Sequence, residues 1–385
     1  MHKTHNLPRR LTTEDYEQCC DMVVNEAKDN DTVAAVYLMG GPWCLGISDL
    51  DIVMVYKDES TVKLVGSIWG KSPKADFILM HRYLSFFEKD FRYTYYLYPK
   101  KTANLRLLGG REDLRPEDPS ETFSTEDVKW LDAFILFDTL VNKLLLFPEM
   151  QKKELNVRKT IGELYSLLYT FDLIHTITGK MIGGTFITKI RALRDQWFNN
   201  SVEHNLTLLS QLLTEGVDLV LESVNILDEF LIANKLYFEN GNNAMFLNKK
   251  FHIIFDKTWK KDKFLENFHK RMISKSIPMS GKKIKNYSLL LPSSFIYFIF
   301  VYSMGEGGFS SSIKNHFHAR PKTKISIPKI IYNHVMAMNK SFDSSIETSG
   351  SFKTPFSFGF SLSKKNSKKV WLMESLLLLS RRIGI

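Results

Sequence analysis

The first hundred residues change hydrophobic period repeatedly, which is how short strands and helices announce themselves in turn. Over 12–29 the apolar positions Tyr16, Cys19, Cys20 and Val23 recur at helical spacing. Thr12 or Thr13 stands ready to cap that helix, and Glu14 and Asp15 fall in its first turn. The run Val36-Tyr37-Leu38-Met39 then reads as a strand that breaks at Gly40-Gly41. A second strand follows, with Asp49 and Asp51 at its head and Ile52-Val53-Met54-Val55-Tyr56 behind them. The pattern further predicts a helix near 60–69, a strand over Lys74–Met80 and a helix-like stretch at 83–90. Tyr93–Tyr98 reads as an aromatic strand stopped by Pro99, giving a small α/β sheet of about four strands.

After a connecting stretch at 105–116 the period becomes helical. Ser124-Thr125-Glu126-Asp127 is a capping signal for a helix carrying Trp130, Leu131, Phe134, Ile135 and Phe137. Further helices fit 153–178, 185–198, 202–213 and 217–235, with Gly179, Gly183-Gly184 and Gly216 as breakers. Beyond 240, lysine-rich stretches alternate with Phe and Ile. The apolar run 288–304 is too short and too interrupted by Pro292 for a membrane span, so a buried or partner-facing segment is expected. Residues 340–370 are rich in Ser, Lys, Phe and Gly and read as irregular, and 370–379 as a docking apolar helix. The expected architecture is α/β (α+β). A mixed-sheet domain occupies 1–120, a helical bundle 121–240 and a basic C-terminal extension 241–385.

Charge sharpens that division. Residues 1–239 hold 27 basic and 35 acidic side chains, net −8, whereas 240–385 hold 25 and 7, net +18. The basicity therefore belongs to the C-terminal part, which suggests a segment facing nucleic acid or a membrane, or a loosely ordered tail. The three cysteines (Cys19, Cys20 and Cys44) have no zinc spacing and fit free thiols in a reducing cytoplasm. The N-terminus carries no apolar core of a secretory signal, and a cytoplasmic location is expected. His316-Phe317-His318 has no acid or cysteine cluster beside it and reads as a basic surface loop.

The chemistry is concentrated around the glycine break. Strand side chains alternate with a period of two, so Asp49 and Asp51 project from one face while Leu50 and Ile52 enter a core. Carboxylates held side by side repel unless a divalent cation lies between them and a ligand. Asp76, at the start of the predicted 74–80 strand, would join them if that strand pairs alongside. Three converging carboxylates opposite a glycine turn are the parts of a two-metal phosphoryl-transfer site.

This pattern resembles the nucleotidyltransferase superfamily that includes DNA polymerase β and the aminoglycoside nucleotidyltransferases. The matching positions are Met39, Gly40, Gly41, Asp49, Asp51 and Asp76, with Ser48 ahead of the acid pair. Gly41 stands where a serine is commoner, and the seven-residue spacer between Gly41 and Asp49 is short. Within the bundle, Thr188-Lys189-Ile190-Arg191-Ala192 looks like the family's Ser-Lys-x-x-Ala helix, and Leu105–Pro116 like its interdomain segment. The resemblance covers roughly residues 12–200. It implies that Asp49, Asp51 and Asp76 hold Mg²⁺ or Mn²⁺, and that Gly40, Gly41 and Ser48 cradle a nucleoside triphosphate, most simply ATP. Lys189 would neutralise its outer phosphates, and Arg111 or Arg115 could reach them from the interdomain segment. The reaction implied is transfer of a nucleoside monophosphate, with AMP the simplest, to a hydroxyl of a small molecule or protein. Two alternatives stand beside it: a catalytically silent nucleotide-binding module, and an RNA nucleotide-adding enzyme that grips its substrate with the basic C-terminal part.

Overall fold

In the computed structural model, the described residues are 3–40, 43–58, 68, 70–80, 83–144, 146, 150, 154–236, 244–248, 251–264, 287–314 and 327–349. The first helix forms as α1 (Thr13–Lys28) with a complete capping box, Thr12 and Asp15 each bonding the other's backbone N–H. Before it, β1 (Lys3–His5) pairs in parallel with β6 (Glu154–Asn156).

The central sheet has the order β4-β3-β2-β5, built from β2 (Val33–Met39), β3 (Asp51–Tyr56), β4 (Leu84–Phe87) and β5 (Arg106–Gly110). β2 runs antiparallel to both β3 and β5, and β3 runs parallel to β4. Both faces are covered, which explains why β2 and β3 read as nearly continuous apolar runs. Val36, Leu38, Ile52, Met54 and Tyr56 face α1 and α2 (Pro73–Ile78). Ala35, Tyr37, Met39, Val53 and Val55 face the larger core that continues into the helical bundle.

Three predicted elements take a different form. The 74–80 strand is helix α2, because Ser72 caps it through Ala75 N–H and Pro73 occupies its first turn. The 83–90 stretch is strand β4 followed by the short helix α3 (Glu88–Phe91). The aromatic strand at 93–98 is the short helix α4 (Thr94–Leu97). There Tyr98 N–H returns to the Thr94 carbonyl, and Thr94, Tyr96 and Leu97 are buried with no alternation of faces. A turn of helix, α5 (Pro99–Thr102), leads into β5, where the sequence suggested only a connecting loop. The predicted 60–69 helix lies almost wholly outside the described residues.

The bundle matches its pattern more closely, although the expected 153–178 helix opens as β6 and divides into two helices at Ser166. α6 (Thr125–Lys143) starts at Ser124 with a second full capping box to Asp127. Ser124→Ala removes one acceptor at that helix start and is expected to lower stability by about 1 kcal/mol, measured by urea unfolding. Beyond it come α7 (Val157–Tyr165), α8 (Leu167–Thr178), α9 (Gly184–Asp195) and α10 (Val202–Ala233). Gly216 does not break α10. It is buried where Leu164, Leu167 and Phe186 press against the helix, and a Cβ there would meet Leu164 at 2.7 Å. Close packing, rather than termination, accounts for that glycine.

The described residues beyond 250 share the same core. β7 (Ala244–Asn248), β8 (Phe251–Asp256) and β9 (Tyr287–Pro292) form a three-stranded sheet. The apolar run 288–304 divides into β9, a 3₁₀ turn at Ser293–Phe295 and the buried helix α11 (Ile296–Met304). After α12 (Gly308–Lys314), α13 (Lys329–Ser349) lies against β4, α3, α4 and α6, so 340–349 is helical where the composition suggested irregular chain. Phe295, Phe298 and Tyr302 pack on Phe134 and Phe137 of α6 at ring separations of 4.5–5.7 Å. Among the described residues no helix is long and apolar enough to cross a membrane. His316–His318 and everything from 350 onward lie outside the described residues.

Candidate functional site

The site the sequence points to is the turn joining β2 to β3. Asp51 opens β3 and pairs directly with Met39, the last residue of β2. Opposed residues of an antiparallel pair share a face, so Asp51 stands on the side of Met39, toward the bundle. Leu50 and Ile52 are buried on the α1 side, as the alternation requires. Gly40 follows Met39 with φ +107°, a conformation that favours glycine, and the space where a Cβ would stand is open. Gly41 lies outside the described residues.

The 43–50 segment between glycine and acids is a clamped turn. The Ile47 and Ser48 N–H groups donate to the Cys44 carbonyl, and Ser48 Oγ accepts from Cys44 N–H at 2.9 Å. Gly46 sits at φ +75°, and a Cβ there would fall 1.7 Å from the Arg9 carbonyl oxygen, so only glycine fits. Three long-range clamps close on this turn. Tyr16 of α1 accepts from Gly46 N–H at 3.0 Å and donates to the Ser48 carbonyl at 2.7 Å. Arg158 of α7, only 1% exposed, donates to the carbonyls of Ile47 (2.7 Å), Ser48 (2.6 Å) and Phe77. Arg194 of α9 lies 3.5 Å over the Tyr165 ring and donates to Ser48 Oγ at 2.9 Å.

Burial weakens the hold of the Arg158 guanidinium on its proton, while Tyr16 and Asp49 nearby work in the opposite sense. Asp49 is therefore a counter-charge to a buried cation as well as a candidate ligand. Arg9 and Arg158 both lie over the Phe77 ring, at 4.6 and 4.0 Å, which anchors α2 to the same cluster. Burial pushes the Cys19 thiol up to about 12 and that of Cys20 to about 11, so neither is a nucleophile near neutral pH.

Several expected participants are placed otherwise. Asp76 is exposed on α2, on the α1 side of the sheet, with its carboxylate accepting from Gly70 N–H at 2.8 Å. It does not converge with Asp49 and Asp51, and among the described residues no three of His, Cys, Asp or Glu gather as a metal-holding group. The Ser48 hydroxyl is engaged by Cys44 and Arg194. Lys189 pairs with Glu215 of α10 at 2.9 Å, and the α9 cation that meets the turn is Arg194. Arg111 is bound to Glu88 and Asp113.

Sequence reasoning missed Tyr16, Arg158 and Arg194 as builders of the site. For Arg158 the signal was a cation in the first turn of α7, beside the apolar residues Val157 and Ile161. No family model matches the chain, and neither does any curated protein or solved structure.

Proposed function

We propose that this protein binds a nucleoside triphosphate with Mg²⁺ at Asp49 and Asp51 and transfers its nucleoside monophosphate, most simply AMP, to a hydroxyl acceptor. The observation that carries this reading is Asp51 opposite Met39. It sets a carboxylate beside an open, positive-φ glycine where sheet and bundle adjoin. Mg²⁺ is commonly held by one or two carboxylates, with substrate phosphates and water supplying the remaining oxygens. Asp49 and Asp51 fit a cation that arrives with its nucleotide, and when bound it would polarise the phosphoryl oxygens and offset their charge.

The chain's own part is placement. Gly40 leaves room for a phosphate against bare backbone. Tyr16, Arg158 and Arg194 fix the turn that presents Asp49, and a fixed turn spends less binding energy on ordering. Asp76 takes no part, since it belongs to the other side of the sheet. That placement favours a second reading, nucleotide binding without transfer, because among the described residues no third carboxylate gathers with Asp49 and Asp51 to accept the acceptor's proton.

The test is incubation with α-labelled nucleoside triphosphates and Mg²⁺ or Mn²⁺. Small-molecule hydroxyl acceptors, a cell protein extract and total RNA would be offered. Labelling of one acceptor is expected, reduced at least about 100-fold by Asp51→Asn, the loss expected when several kcal/mol of charge stabilisation is removed, and unchanged by Asp76→Asn. Metal-dependent nucleotide binding without labelling would select the second reading, and absence of both would refute the site.

A further inference from the structure

Where α6, α11 and α13 meet, three polar side chains are shut away from water. Asp138, Tyr302 and His334 are 6, 0 and 1% exposed. The Tyr302 hydroxyl lies 2.6 Å from Asp138 Oδ2 and 2.7 Å from His334 Nε2. His334 Nδ1 lies 2.6 Å from the Tyr96 carbonyl oxygen on α4, and Phe134 packs edge-on against both rings.

The contacts fix the proton count. A carbonyl only accepts, so His334 Nδ1 carries a hydrogen. The hydroxyl has one hydrogen to give. If it goes to Asp138, then Nε2 must donate to the hydroxyl, which makes the imidazole a cation beside an aspartate anion. If it goes to Nε2, the imidazole is neutral and Asp138 must donate as a carboxylic acid. Both arrangements contain the same number of protons and no net charge.

We infer that Asp138, Tyr302 and His334 share one proton as a neutral unit, and that this unit latches α13 to α6 and, through the Tyr96 carbonyl, to the sheet layer. Burial raises the Asp138 carboxyl and holds the Tyr302 hydroxyl protonated, in keeping with a neutral unit. Asp138 Oδ1 is buried without a hydrogen-bond partner among the described residues, which a neutral acid tolerates better than an anion does. The latch has a reinforcement further along α13, where Lys340 and Ser344 bond the buried Asp90 of α3 at 2.9 and 3.1 Å.

The shared proton has a thermodynamic signature. In the unfolded chain the aspartate and histidine titrate near their ordinary values of about 3.9 and 6.5. Between these values the unfolded pair also holds one proton, and stability is flat. Above about 6.5 the unfolded pair is empty while the folded unit keeps its proton, so stability falls as pH rises. One proton of difference makes the unfolding constant grow by up to about tenfold per pH unit. The surrounding elements also carry Glu126, Asp127, Lys129, Asp132 and Lys143 on α6, Tyr297 on α11, Lys314 on α12, Lys329, Tyr332 and Asp343 on α13, Tyr95 and Tyr96 on α4, Glu88 and Lys89 on α3, and the Lys340–Asp90 pair. They are unchanged in the variants below, so their contribution cancels in the comparison.

Urea unfolding of the full chain between pH 6.5 and 8.5 tests this. The unsubstituted protein is expected to show the extra, near-tenfold steepening per pH unit, and Asp138→Asn and His334→Gln are expected to lose it. Identical pH slopes in all three proteins would overturn the inference. Should the variants fail to fold, NMR of ¹⁵N-labelled histidine in the unsubstituted protein decides. A hydrogen on His334 Nδ1 and no change in either ring-nitrogen shift over pH 6–8.5 are expected; an Nδ1 without a hydrogen, or a ring-nitrogen shift that titrates within that range, would overturn the shared-proton unit.

Discussion

A polypeptide ending near residue 240 is expected to be insoluble or unfolded. The outer face of α6 presents Phe134 and Phe137, and these are covered by Phe295, Phe298 and Tyr302 at close ring separations. α11 and α13 add Ile296, Ile299, Val301, Ile330, Ile331, Val335 and Phe342 to the same buried cluster. At about 1.5–3 kcal/mol for each large apolar side chain left uncovered, exposing Phe134, Phe137 and their neighbours removes much of the about 5–15 kcal/mol that holds a typical domain together. Asp90 and Asp138 would also lose the partners that satisfy them in the core. Recovery in the soluble fraction, circular dichroism and the sharpness of thermal unfolding measure this directly. A soluble 1–240 fragment that melts cooperatively would show that the first two-thirds of the chain needs no cover.

Replacing Arg158 by methionine is expected to cost about 3–5 kcal/mol, the range for removing one partner of a buried charge arrangement. Methionine fills much of the space and supplies no donor, so the carbonyls of Ile47, Ser48 and Phe77 would be stranded. Arg158→Lys is expected to recover only part of the loss, because an ammonium cannot reproduce a planar fork of donors. Asp49 would lose its buried counter-charge in the methionine variant, so Asp49→Asn should cost less there than in the parent protein. Urea unfolding of the four proteins, parent, two singles and double, gives that coupling. A cost below about 1 kcal/mol for the single Arg158→Met change would mean that Tyr16, Arg194 and the Cys44–Ser48 contacts hold the turn without it.

Local chemistry made part of this fold legible. The capping boxes at Thr12 and Ser124, the glycine between β2 and β3 and the alternation from Leu50 to Val53 are each decided by neighbouring residues. At Asp76 two local signals compete, and the helix start prevails. Ser72-Pro73 marks a helix start, yet the apolar run after it has the length of a strand. Ser48, Lys189 and Gly216 could not be placed in that way. Their roles depend on which side chains arrive from elsewhere, namely Arg194, Glu215 and Leu164. The α9 helix offers Lys189, Arg191 and Arg194 on different sides, and only the packing of that helix on α7 and α10 selects Arg194 for the turn.

The clamps on the Asp49 turn also set an order of events during synthesis. Arg158 reaches Ser48 across 110 positions of sequence and Arg194 across 146. A ribosome adding about 5–20 residues per second needs roughly seven to thirty seconds to bridge the longer interval. Until then the nascent chain carries its two aspartates on a turn without its full set of anchors. The site is thus completed late, when α9 emerges, and a chain stalled earlier would display the motif without its finished geometry.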